Sequence, residues 1–155
     1  MIKRHLSVFV LAVVLAVSAV TVRADSIPVI AGGVSGLELC QQSVCGAAIF
    51  VGVFRGQVGA NTRAFGTIAV AVTHEDLPEP GETAAITGGI WVLQLLSGRS
   101  FSGAIAGGVL LNNGDDTFAL DVRMPLLSGG VGELSFGGTL SHVTFPPTII
   151  GAITQ

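Results

Sequence analysis

The chain has 155 residues, half of them hydrophobic and only 11% charged, with 22 glycines and two cysteines. Seven basic and ten acidic residues give a formal charge of −3. That balance is too poor in cations to build the surface that nucleic acid or an anionic membrane recruits. The glycines follow no triplet repeat and no stretch keeps a long helical period, which excludes collagen-like and helical-bundle architectures.

In chain order, the first element is an export signal. Lys3, Arg4 and His5 form a basic head, residues 6–20 an apolar run, and Val22-Arg23-Ala24 a small-residue site for signal peptidase. The expectation is a signal peptide at 1–24, and the apolar run is short for a membrane anchor, which needs about 20 residues. Cleavage leaves a single secreted domain at 25–155 in a secreted or periplasmic setting. It carries four arginines (Arg55, Arg63, Arg99 and Arg123) against ten acids, a net charge of −6. Such an excess of acids helps keep an apolar protein in solution.

Next comes the pair Cys40 and Cys45. An oxidising compartment favours a disulfide between them, closing a loop around Gln41, Gln42, Ser43 and Val44. Zinc would need further ligands, and the spacing is not that of a redox CxxC site. Closing so short a ring contributes roughly 2 kcal/mol through chain entropy.

Strands follow. Residues 48–58 place Phe50 and Phe54 on one face with Gly52 and Gly56, and residues 64–73 align Ile68, Val70 and Val72. The turn between them is expected at 60–63. An acidic, proline-bearing loop is expected at 74–85. Residues 90–96 are apolar on both faces, the pattern of a strand covered twice, with Trp91 in the core. Residues 101–111 put Phe101, Ile105, Val109 and Leu111 in one parity. Asn112–Asp116 is a strong turn signal, and residues 117–126 align Phe118, Leu120, Val122 and Met124. Residues 133–140 align Leu134, Phe136 and Leu140, and residues 148–154 close the series behind Pro146-Pro147. An F-x-G echo recurs at Phe50, Phe101 and Phe136. Seven or eight strands with short links predict an all-β fold. A small antiparallel barrel of about eight strands comes first, a two-sheet sandwich second.

Candidate chemistry is sparse. Glu75, Asp76, Glu79 and Glu82 cluster in the acidic loop, but their spacing fits no calcium loop, and a solvated loop is the expected reading. His74 and His142 each end an apolar face, where they either flank a pocket mouth or simply sit where the strands reach water, a bulge at Gly137-Gly138 being able to shift the parity of His142, and Glu133 is a further proton-transfer candidate. No nucleophile elbow and no glycine fingerprint followed by a helix occurs. No cofactor, metal or nucleic acid partner is therefore expected, and seven phenylalanines with one tryptophan make a poor girdle for an outer-membrane barrel.

The stretch SGGVGELSFGGTLSHVTFPPTIIGAIT (128–154), together with ELCQQSVCGAAIFVG (38–52), resembles a group of secreted bacterial β-proteins with a GG-x-G turn, a G-x-L strand and a late proline-rich turn. That resemblance implies a secreted glycine-rich β-domain and brings no activity with it. The same GG-x-G turn between late strands is similar to the allene oxide cyclase and dirigent-type barrels, which implies a small antiparallel barrel with an apolar cavity. No catalytic residue carries over. Three functions are compatible with these features. The first is an exported non-catalytic barrel that binds a small apolar ligand or presents a partner surface. The second is an isomerase or cyclase acting on a lipid-derived substrate through His74, His142 or Glu133. The third is a self-assembling cell-surface protein.

Overall fold

The computed structural model describes residues 29–155, so the expected signal peptide at 1–24 lies outside the described residues. The described chain is built of strands β1 (Ile30–Cys40), β2 (Ala48–Val58), β3 (Arg63–His74), β4 (Thr83–Leu95), β5 (Ser100–Ile105), β6 (Gly107–Asn112), β7 (Thr117–Ser128), β8 (Glu133–Ser141) and β9 (Thr148–Thr154), with one helical turn, α1 (Gln42–Cys45). Every pairing is antiparallel. The sheet runs from β3 through β2, β1, β9, β8, β7 and β5 to β4, and β3 pairing with β4 closes it on itself. β6 continues β5 in the slot between β4 and β7, so the nine segments fill eight positions around the barrel. The expectation of a small antiparallel barrel holds, and the sandwich does not occur.

Neighbours in sequence are neighbours in space, except at the β1–β9 seam. Alternation of the strands then gives the barrel two distinct ends. One end, the mouth, collects the β1–β2, β3–β4, β6–β7 and β8–β9 connections. The other, the base, collects the remaining turns together with Val29 and Gln155. Among the described residues no helix is long and apolar enough to cross a membrane.

Period-two alternation sends one side chain in two to the interior. Eight strands enclose a space that side chains can just fill. Ile30, Phe54, Trp91, Leu93, Phe101, Leu134 and Ile153 do so, all with essentially no exposure. Two F-x-G pairs, Phe136 with Gly138 and Phe54 with Gly56, have a packing cause. Phenylalanine and glycine sit on the same inward face, and the Phe136 ring covers Gly138 while the Phe54 ring covers Gly56. A Cβ at Gly56 would stand 2.6 Å from the Gly32 Cα across the sheet and 2.8 Å from Phe54 Cζ.

Several expectations are corrected. β1 was not foreseen as a strand. Its inward positions Gly32 and Gly36 carry no side chain, and Glu38 is polar, so the apolar parity is hidden. β4 begins at Thr83, which shortens the acidic loop to residues 75–82. It is covered on one face only: Ile90 is 63% and Val92 42% exposed on the outer wall. The parity expected across residues 101–111 breaks at Ala106. Phe101, Ile105 and Leu110 point inward, while Val109 and Leu111 face out. The irregular residue shifts the alternation by one, as a bulge does.

Candidate functional site

The interior is filled at the base and hollow toward the mouth. A void of about 50 Å³ is lined entirely by Val34, Phe50, Val51, Gly52, Ile68, Val70, Val72, Ile86, Ile105, Leu120, Val122, Met124, Phe136 and Ile149. Above it a cavity of about 390 Å³ opens between the mouth loops and shares Phe50, Val72, Ile86 and Leu120 as walls. The larger volume falls in the range of small-molecule sites, roughly 300–1,000 Å³.

The upper cavity holds the polar chemistry. Glu38, at an inward position near the end of β1, is the one buried charged residue of the described chain, its side chain 4% exposed. His142, just past β8, lies across from it with Nε2 3.0 Å from Glu38 Oε2. The His142 main chain donates to the Asp116 carbonyl at 2.8 Å, and its ring packs obliquely against Phe118, with centroids 5.3 Å apart. The Glu38 amide in turn donates to the Pro147 carbonyl at 2.9 Å. The β8–β9 loop thus carries His142 and holds the main chain of Glu38. Burial pushes the Glu38 carboxyl above its ordinary range, while the charge and hydrogen bond of His142 and the charge of His74 pull it partway back.

His74 ends β3 on the same cavity wall. Its main chain is clamped by Gln42, whose Oε1 accepts from the His74 amide and whose Nε2 donates to the His74 carbonyl, both at 2.8 Å. Gln42 opens α1, inside the ring closed by the Cys40–Cys45 disulfide, with Cα atoms 6.2 Å apart. Gly46, at φ 75°, ends that turn in the left-handed conformation glycine adopts without strain. The disulfide therefore fixes a loop that forms one wall of the mouth.

Of the residues singled out in sequence, His74 and His142 come together at the mouth, while Glu133 does not. Glu133 begins β8, pairs with Pro125 and is exposed at the base, about 30 Å of extended chain from His142. The carboxylate in the cavity is Glu38, which sequence reasoning missed. Its signal was a charged residue at an inward parity, readable only once β1 is recognised as a strand. Trp91 is core, 1% exposed, and its Nε1 has no hydrogen-bond partner. Glu75 and Asp76 stand on the cavity rim. Among the described residues no group of three His, Cys, Asp or Glu side chains converges to hold a metal ion.

A carboxylate and an imidazole sharing a hydrogen bond beside an apolar cavity can orient a polar ligand group or pass it a proton. Compared with known proteins, the chain matches no family model, no curated protein and no solved structure.

Proposed function

We propose that this is an exported, disulfide-bonded binding protein that holds a small, largely apolar molecule at the mouth of its barrel. The observation that carries the reading is the gradient along the barrel axis: a filled base, an apolar void, then a roomier cavity with one buried Glu38–His142 pair. Such a site suits a ligand whose apolar part enters the barrel while a polar group meets the pair. The apolar interior also runs opposite to membrane barrels, whose interiors are polar. The disulfide supports an oxidising compartment.

The test is native mass spectrometry of the protein recovered from the exporting cell, beside its denatured mass. A non-covalent passenger is expected in the native state, and Ala48→Leu, which adds bulk to the cavity wall, reduces its occupancy. A native mass equal to the denatured one, with the cavity refusing every small apolar probe, rejects the reading.

The Glu38–His142 geometry favours one second reading, an isomerase or cyclase that shuttles a proton on a lipid-derived substrate. The same recovery from cells making His142→Ala separates the two. A binder carries the same molecule in both proteins, whereas an enzyme carries a chemically different one in the variant.

A further inference from the structure

Charge is segregated along the barrel axis in a way that bears on the ligand. The mouth loops carry Glu75, Asp76, Glu79, Glu82, Asp115 and Asp116, in addition to Glu38 in the cavity wall. The loops are tied together at that end. The Asn112 side chain donates to the Pro78 carbonyl at 2.8 Å, and the Gly81 amide to the Asn112 carbonyl at 2.8 Å. The arginines are elsewhere. Arg63 and Arg99 line a groove at the base, Arg55 lies on the base half of β2, and Arg123 sits at mid-height on the outer wall. No described residue is a lysine. Among the described residues the mouth therefore has no permanent cation to receive an anionic head group.

Glu38 and His142 compensate each other, as an ion pair or as a neutral pair. The excess charge is left to the loop carboxylates. Glu38 Oε2 shares its hydrogen bond with His142 Nε2, and no other side-chain hydrogen bond reaches Glu38 among the described residues, so Oε1 is free to accept one from a ligand. An acceptor in an apolar wall beneath a ring of carboxylates selects a donor-bearing, positively charged group.

We infer that the mouth cavity takes a cationic amphiphile, a short apolar chain or ring bearing a protonated amine, and discriminates against carboxylate-headed lipids. This rests on the small-molecule reading of the same cavity. The ammonium would donate to Glu38, and the apolar part would descend past Phe50, Val72 and Leu120.

Octylammonium, octanol and octanoate share one chain and differ in head-group charge. Calorimetric titration of each into the disulfide-intact protein, at low salt and about pH 7.5, where an alkylamine is protonated and a carboxylic acid ionised, measures the preference directly. Octylammonium is expected to bind about tenfold more tightly than octanoate, with octanol between them, and added salt narrows the gap. The double variant Glu75→Gln/Asp76→Asn, at two exposed positions, keeps the fold and reduces the preference. Glu38→Gln weakens octylammonium more than octanol. Octanoate binding as tightly as octylammonium overturns the charge inference and leaves the small-molecule site standing. Failure of all three probes overturns both.

Discussion

Glu38 shows how one inward side chain sets a pH dependence. Its carboxyl is raised by burial, so the folded state holds the proton more tightly than the unfolded chain does. The stability this contributes is fully present below the unfolded value of 4.5 and is lost as pH rises through the higher folded value. Urea unfolding at a series of pH values should show the native protein losing stability over that window relative to Glu38→Gln, which has no carboxyl to titrate. Parallel profiles would remove burial as the dominant influence on Glu38. The inward glycines act through volume rather than charge. Gly56→Ala forces a Cβ against the Gly32 backbone and the Phe54 ring and should cost about 1–3 kcal/mol. Gly137→Ala meets nothing within 4 Å and should leave the unfolding midpoint almost unchanged. Equal effects at the two positions would show that backbone freedom, not space, governs these sites.

Among the elements, the ring containing α1 links a covalent bond to the site. Replacing both Cys40 and Cys45 by serine should cost roughly 2 kcal/mol. It should also release Gln42 from His74, seen as faster amide exchange at His74 with little change at β8. Gln42→Ala should reproduce the exchange effect without the full stability loss. What could be read from the sequence divides along the same lines. β2, β3, β7 and β8 were legible because large apolar residues recur on one parity, β9 from its place behind Pro146-Pro147, and the Asn112–Asp116 turn announced the hairpin that β6 and β7 form. β1 was not, because Gly32, Gly36 and Glu38 interrupt the inward parity that Ile30 and Val34 would otherwise have announced. The outward apolar residues of β4 imitate a second covered face, since exposed Ile90 and Val92 cannot be told from buried ones by hydropathy. The site was half legible. His74 and His142 stand at strand ends where parity points them inward, but the carboxylate that His142 bonds lies 104 residues away, a pairing that only the β1–β9 seam creates. Glu133 illustrates the converse, since closeness to His142 in sequence becomes the full height of a strand in space.

At the scale of the whole molecule, the barrel has the form of a cup, filled at the base and open at one rim. Its base is packed with Trp91, Phe54 and Phe101 and tolerates little change, whereas the mouth loops carry the charge and the cavity. Truncating Phe54 to alanine should therefore cost about 3–5 kcal/mol in unfolding experiments. Glu75→Gln on the rim should alter ligand preference with a stability change within about 0.5 kcal/mol. The seam between β1 and β9 has a further consequence. Six backbone positions, from Gly32 against Ile153 to Leu37 against Thr148, are paired there as regularly as in any hairpin of the barrel. The described strands thus form nearly a circle, with the start of β1 and the end of β9 adjacent at the base. Joining Gln155 to Val29 through a short glycine linker and reopening the backbone at Ser97, in the β4–β5 turn, should yield a circular permutant with the same disulfide and the same cavity. Folding of such a permutant should be limited by a different hairpin from the one that closes last in the natural order. Which strand is first would then be a matter of synthesis, not of architecture.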